Sequence, residues 1–415
     1  MKKDSKIYIA GHRGTAGSAL LENLKKQGFN NLVYKTHKEL DLTQQEAVQE
    51  FFKKEKPEFV FLAAVLPCGA ANVAQRADFI YENLMIQNNI IHSAYVNEVR
   101  KLIFYGSGYM YPEHSRNPLK EEYLFQGDLE YGAYSFAIAK IAGAAMCESY
   151  NIQYQTNFLT LVLNNLYGKT ANFDFAKSRV LPALLRKIHL AKLLSEGQDE
   201  EVLKDLNHHT KEAFTNFNEA KEYLKSFGIS KNSVEIWGTG QVRREFIHSD
   251  DLAEASIYFM QNIDFKNLYE KNPINTHINI GTGISYTIKE VAELIKELIG
   301  FKGAFVFNAN RPDSTMDRVL DCTKAKNLGW QAKITLEQGV KMMYENYLNN
   351  MGGGDLNKSI FTLSLYQNLF QTYLQTDGSQ SSLKTNLKFS NHKRVCNTNL
   401  SCNFDNANLC KVEVA

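Results

Sequence analysis

Five short apolar runs punctuate the first 165 residues, at 6–10, 32–34, 59–64, 101–105 and 158–162, each long enough for one buried strand. The stretches between them carry apolar residues at helical spacing. They predict a helix opened by residues 11–17 and running to about Gln27, and further helices over 44–54, 78–97 and 135–150. Strand and helix in alternation, with short breaks, predict an α/β fold: a Rossmann-type doubly wound parallel sheet with helices on both faces.

The regularity weakens after about residue 170. Residues 193–232 are polar and charged and read as a helical insertion. Within it His208 and His209 have no further ligand at metal spacing, so both are expected to face solvent. Mixed strand and helix return over 234–350, where His277-Ile278-Asn279-Ile280 runs into Gly281-Thr282-Gly283 and a helix follows over 287–299. The expected division is a dinucleotide-binding domain over 1–170 that also receives segments near 240–285, and a smaller α/β substrate domain over 171–350. From Met351-Gly352-Gly353-Gly354 the composition shifts. All seven prolines lie before residue 313, and nine asparagines fall in the last 65 residues. Residues 351–415 are expected to be a poorly ordered extension.

Composition narrows the function. Lys and Arg total 47 against 45 Asp and Glu, a net charge of +2, which argues against an electrostatic grip on nucleic acid or anionic lipid. No apolar stretch approaches the roughly 18 residues of a membrane span. The first residues, Met1-Lys2-Lys3-Asp4-Ser5, lack the apolar core of a signal peptide. The six cysteines form no Cys-x-x-Cys pair, so no metal site and no disulfide framework is predicted, and a reducing cytoplasm is the expected compartment.

The first candidate site is Gly11-His12-Arg13-Gly14-Thr15-Ala16-Gly17, a G-x-x-G-x-x-G pattern between a strand and a helix. Glycines there permit a tight turn and close approach of a pyrophosphate, which meets the free N–H groups of the helix. An NAD site would place a carboxylate after the second strand to hold the ribose 2′-hydroxyl. Here Tyr34-Lys35-Thr36-His37-Lys38 is basic, and with Arg13 it suits a 2′-phosphate, so NADP(H) is the expected cofactor. Asp41-Leu42 follows where an adenine contact belongs, and Ala63-Ala64 where small residues pass beneath the cofactor.

These segments, with Ala77-Asp78-Phe79-Ile80-Tyr81-Glu82-Asn83, Ala137-Ile138-Ala139-Lys140-Ile141-Ala142-Gly143, Asn165-Leu166-Tyr167-Gly168 and Arg244-Glu245-Phe246, resemble the extended short-chain dehydrogenase/reductases. Within them they are most similar to the GDP-L-fucose synthase family, the GDP-4-keto-6-deoxymannose 3,5-epimerases/4-reductases. The resemblance spans about residues 5–350 outside the insertion. It implies a serine at a strand end and a Tyr-x-x-x-Lys pair on a helix, where a spacing of four sets both side chains on one face. The tyrosine protonates the carbonyl oxygen as hydride arrives, the serine steadies that oxygen, and the lysine holds the nicotinamide ribose. Ser107 and Lys140 match; the tyrosine position is Phe136, which has no proton to give. The epimerase cysteine and histidine positions are Tyr109 and Arg179, both poor proton shuttles at their ordinary pKa.

The resemblance therefore implies an NADPH-dependent reductase of a GDP-4-keto-6-deoxy-sugar, hexose or heptose, in nucleotide-sugar and surface-polysaccharide biosynthesis, with the epimerase chemistry lost. Two alternatives stay open: a catalytically impaired binder of NADP and GDP-sugar, and a full GDP-L-fucose synthase. Tyr109, Ser107, a water held by Lys140, and Tyr134 if the helix begins irregularly, are the open candidates for the proton donor. By position the resemblance assigns Tyr105, Gly106, Asn164, Asn165, Leu166 and Arg179 to the cofactor. It assigns Ser107, Gly108, Lys187, Trp237, Arg244 and Asp313 to the substrate. It also implies a homodimer through the helices near 78–97 and 135–150.

Overall fold

The computed structural model describes residues 1–66, 75–175, 177–210, 212–310 and 315–351, and three strands beyond them. Met1–Gly352 forms one compact unit, inside which the expected division at residue 170 falls, and Gly353–Ala415 forms another.

The first unit is built on a six-stranded parallel sheet. β1 (Ile7–Ala10), α1 (Thr15–Lys26), β2 (Leu32–Val33), α2 (Gln45–Glu55), β3 (Phe59–Leu62), α3 (Arg76–Val96), β4 (Lys101–Ser107), α4 (Tyr134–Tyr154) and β5 (Phe158–Leu163) alternate as the apolar runs predict. The sheet order is β2-β1-β3-β4-β5, closed by a late strand at Ile278–Ile280. Both faces are covered, which is why these strands read as continuous apolar runs. Ile7 and Ile9 belong to the core shared with α1, and Tyr8 and Ala10 to the opposite core shared with α2 and α3. The chain leaves β1 on one side for β2 and crosses to the other for β3, so the strand order reverses at the carboxyl end of β1, where such sheets bind ligands.

β6 (Asn165–Tyr167) leads to three helices, α5 (Val180–Ser195), α6 (Asp199–His209) and α7 (Phe217–Ser226). Arg186 of α5 is fully buried; its Nε donates to Asp205 Oδ1 at 2.8 Å, and the guanidinium also reaches the Phe173 carbonyl. One of the two insertion histidines departs from expectation. His208 is exposed, but His209 lies parallel to the ring of Tyr347, centroids 5.2 Å apart, and its partial burial beside Arg186 pulls its pKa down to about 3.

The remaining elements are β7 (Ser233–Trp237), β8 (Arg243–His248), α8 (Ser249–Asn262), α9 (Phe265–Lys271), β9 (Ile278–Ile280), β10 (Ser285–Thr287), α10 (Ile288–Ile299), β11 (Ala304–Asn308), β12 (Asp317–Arg318), α11 (Thr323–Asn327) and α12 (Leu336–Asn350). α8 packs against α1 over the large sheet, so a late segment completes the early layer. β8 is flanked by β6, β10 and β12, and β7 pairs with β11. α10 shows how local sequence fixes an element. Thr287 and Glu290 form a reciprocal capping box at its start, and Gly300 ends it at φ +82°. In the second unit β13 (Asn386–Asn391), β14 (Arg394–Cys402) and β15 (Cys410–Val414) form an antiparallel meander.

Candidate active site

The turn between β1 and α1 is shaped by its glycines. Gly11 sits at φ +82°, and a Cβ there would lie 2.5 Å from the Ala64 backbone N. A Cβ on Gly17 would meet the Gly11 carbonyl at 2.3 Å, so the helix presses directly on the turn. Gly14 is the N-cap of α1, and no side chain caps the helix. Thr15 and Ala16, in its first turn, thus offer backbone N–H groups and the positive end of the helix dipole to a diphosphate. Ala63 and Ala64 follow β3 directly and form the floor beside Gly11. His12 Nδ1 is buried with no hydrogen-bond partner among the described residues, and its ring lies 4.7 Å from that of Tyr34. A backbone-lined turn, an uncapped helix and an orphaned ring nitrogen fit a dinucleotide.

Arg13, Lys35, His37 and Lys38 are all exposed around this turn. Lys35 lies 4.0 Å from Glu39, and His37 lies 3.8 Å from Asp41, so carboxylates offset part of the basic cluster. Asp41 is turned to its own loop: its Oδ1 accepts from Thr43 N at 3.0 Å and Thr43 Oγ1 at 2.8 Å. The Leu42 carbonyl accepts from Asn89 Nδ2 at 2.9 Å, fixing this loop against α3.

The second cluster stands at the carboxyl end of β4. Ser107 is half-buried and caps the turn Gly108–Met110; its Oγ accepts from Tyr109 N at 3.3 Å. Lys140, on α4, donates from Nζ to the Tyr105 carbonyl at 2.8 Å. It is buried, and burial pulls its pKa down to about 7. Phe136 lies one helical turn earlier and is only 6% exposed; its ring centroid is 5.8 Å from Lys140 Nζ. A 3₁₀ turn over Tyr131–Ala133 leads into α4, but Tyr134 itself has ordinary helical angles and is 46% exposed, so the helix carries this phenol away from Phe136.

Tyr109 is enclosed by arginines. The Arg318 guanidinium lies 5.2 Å from its ring and is fixed by Gly108 O at 3.0 Å and Glu130 Oε2 at 3.1 Å. Arg244 donates to the Arg243 and Thr315 carbonyls at 2.6 and 2.7 Å. Burial pulls its pKa down, and the charges of Tyr109, Glu130 and Asp317 act against that fall. Beneath lies Glu245, fully buried, accepting from Asn164 Nδ2 at 2.7 Å, Gly283 N at 2.8 Å and Leu320 N at 3.0 Å. Burial raises its pKa.

Several residues assigned by position stand differently from a direct contact. The Tyr105 phenol donates to Ser256 Oγ at 2.7 Å under α8, so only its carbonyl serves Lys140. Gly106 is glycine because a Cβ would meet Met110 Sδ at 2.8 Å and Val162 Cγ2 at 2.9 Å. A Cβ on Gly108 would lie 1.9 Å from Asn164 Oδ1. Asn164 is spent on Glu245, and Asn165 Nδ2 donates to the Glu245 carbonyl at 2.9 Å; Leu166 pairs with Ile247 of β8 and packs on the sheet core. Arg179 is exposed at the N-cap of α5. Trp237 is 57% exposed, a platform rather than core, and Lys187 Nζ lies 5.9 Å from its ring while donating to the Glu235 carbonyl at 3.1 Å. Burial pulls Lys187 down to about 8. Asp313 lies outside the described residues. Glu245 is read from sequence only as part of the Arg244-Glu245-Phe246 segment, with no role given to it, and Arg318 and Glu130 are not singled out.

A glycine turn at a strand-order switch, with a serine and a buried lysine beyond it, defines a dinucleotide-binding enzyme of the α/β class. The chain belongs to the NAD dependent epimerase/dehydratase family, which it matches over residues 7–211 and 206–281. It is 40% identical over 346 residues to GDP-L-fucose synthase of Escherichia coli (strain K12), covering 83% of this chain and 97% of that protein. It is 41% identical over 350 residues to GDP-L-fucose synthase 1 of Arabidopsis thaliana, covering 84% and 95%. Among solved structures it is similar to a GDP-6-OMe-4-keto-L-xylo-heptose reductase from C. jejuni, at 71% identity and TM-score 0.81, covering 84% of this chain and 99% of that one. A GDP-mannoheptose C4 reductase from Campylobacter jejuni with NADP bound shares 71% identity at TM-score 0.77, with the same coverage. Among the described residues no helix is long and apolar enough to cross a membrane, and no cluster of side chains could hold a metal ion.

Proposed function

We propose that this protein is an NADPH-dependent C4 reductase of a GDP-linked 4-keto-sugar, with a heptose the favoured substrate. The observation that carries the reading is the intact pairing of the glycine turn with Ser107 and Lys140, in a chain 71% identical to two C. jejuni proteins described as GDP-heptose reductases. The cofactor supplies a hydride to C4. The uncapped first turn of α1 would hold its diphosphate, Arg13, Lys35 and Lys38 would serve its 2′-phosphate, and Lys140 would hold the nicotinamide ribose. Ser107 Oγ polarises the C4 oxygen, and Trp237, Lys187 and Arg244 line the nucleotide-sugar side. Tyr109 and Arg179 stand at the positions the resemblance gives to the epimerase pair, which favours reduction of a substrate of fixed stereochemistry.

Incubating the protein with NADPH and a panel of GDP-4-keto-hexoses and GDP-4-keto-heptoses tests the reading. Oxidation of NADPH with a heptose, and no deuterium incorporated at C3 or C5 from heavy water, is the expected result. Firm NADPH binding with no oxidation by any of them rejects the reductase. Label at C3 and C5 instead marks a full epimerase/reductase. Free Cys147 and Cys322 and the NADPH requirement suit a reducing cytoplasm. A homodimer through α3 and α4 is part of the reading. Tyr81 and Val96 on α3, and Ile152 on α4, are large apolar side chains more than half exposed, as a second copy would require.

A further inference from the structure

Ketone reduction needs a proton at the C4 oxygen as well as hydride at C4, and the usual tyrosine position is a buried phenyl ring. The tyrosines around the carboxyl end of β4 narrow the choice. Tyr105 is buried and spends its hydroxyl on Ser256. Tyr111 is fully buried and donates to Asn279 Oδ1 at 2.5 Å, with His277 Nε2 at 3.1 Å. Tyr134 lies on the exposed side of α4. Tyr109 remains, half-buried and two residues beyond Ser107, with its backbone N–H on the Ser107 hydroxyl. Lys140 is also titratable, but its ammonium is engaged with the Tyr105 carbonyl and packed between the Phe104 and Phe136 rings, 4.6 and 5.8 Å from their centroids.

We propose that Tyr109 is the catalytic proton donor, so that the phenol absent from position 136 of the helix is replaced by one from the turn after β4. The assignment rests on the reductase reading above. The C4–H bond forms with the hydride of NADPH, the carbonyl π pair moves onto O4, and O4 takes the Tyr109 proton. The phenol is left as phenolate and regains its proton from water. Two guanidiniums favour that state: Arg318 lies over the ring, held by Glu130 and the Gly108 carbonyl, and Arg244 interacts electrostatically with Tyr109 from β8. Fixed cations beside a developing anion stabilise it without reorganisation. The same contacts explain why a position that carries epimerase chemistry in the resembling family holds a phenol here: its neighbours suit an acid that discharges a proton, not a base that must collect one.

The test compares wild type with Tyr109→Phe, which keeps the ring and removes only the hydroxyl. NADPH and GDP binding are measured by calorimetry beside turnover of the GDP-4-keto-sugar that the wild type reduces. The expected result is a fall in kcat of about 10²–10⁴-fold with both affinities unchanged. In the Tyr109→Phe background, Phe136→Tyr is expected to restore part of the rate. An undiminished rate in Tyr109→Phe overturns the assignment, and so does a loss of binding that parallels the loss of rate, since that makes Tyr109 a packing residue. Absence of turnover by the wild type rejects the reductase reading itself and is thereby distinguished from failure of the donor assignment.

Discussion

The cofactor turn and the reaction centre stand at the carboxyl ends of two strands of one parallel sheet, yet they are built in opposite ways. The turn is made by backbone. Gly11, Gly14 and Gly17 fall within seven residues, and the floor at Ala63 and Ala64 is the next strand over. The reaction centre is made by side chains from β4, α4, β8 and β12. The first has the glycines that the resemblance expects, and the second has a phenyl ring, a phenol and an arginine where it expects a tyrosine, a cysteine and a histidine. A backbone cradle leaves little room for change, because a single Cβ collides with main chain that cannot move aside. A side-chain cluster is replaceable piece by piece, provided each new group finds partners.

The largest effect that would sharpen this contrast comes from Gly11→Val. The φ of +82° and the 2.5 Å approach to Ala64 leave a branched side chain no place. The variant is expected to lose NADPH binding altogether and about 1–3 kcal/mol of stability, read by calorimetry and urea unfolding. Retained binding would show that the turn tolerates change as the reaction centre does.

A second, smaller effect is a rise in stability with pH that belongs to the reaction centre. Folded Lys140 gives up its proton near pH 7, whereas an unfolded lysine holds it to about 10.5. Between those values the unfolded chain binds the extra proton, so raising pH stabilises the fold; the cost of burying the charge is full below pH 7 and relieved above it. Lys187, brought down to about 8, acts with the same sign. The useful window closes near pH 9, where a free thiol ionises while Cys147, pushed up to about 12 by burial, does not. Melting temperatures of the cofactor-free protein should climb from pH 7 to pH 9, and Lys140→Met should flatten the climb. A flat wild-type profile would place the Lys140 charge in solvent contact and remove the distinction between a dry reaction centre and a wet cofactor rim.

The smallest effect tests that rim. Arg13 is exposed, and exposed charge pairs contribute roughly 1 kcal/mol or less. Arg13→Ser should weaken NADPH about fivefold, in line with that magnitude, and leave NADH unaltered. Equal weakening of both would move Arg13 from the 2′-phosphate to the diphosphate.

The same division governs what was legible in the sequence. The strands of the large sheet, the helices between them and the glycine turn could be read because burial on both faces and close backbone approach each leave a local signature. The loss at Phe136 could be read because the spacing to Lys140 is local too. His209 could not: its partner Tyr347 lies on α12, far along the chain, and nothing near residue 209 announces it. Nor could Arg318, whose value comes from the Gly108 carbonyl and Glu130. The resemblance assigns Tyr105 and Asn164 to the cofactor, but their side chains answer to Ser256 and Glu245, partners that only the fold supplies.

Glu245 carries a consequence for how the protein comes into being. Its one carboxylate gathers the Asn164 amide and the main-chain N–H groups of Gly283 and Leu320, from segments that lie on both sides of it in the chain. On a ribosome the glycine turn has its floor once Ala64 has emerged, whereas the knot around Glu245 must wait for Leu320. The residues of the nucleotide turn are thus all synthesised early, but the layer that holds them closes only with α8, and the reaction centre closes later still, with Leu320.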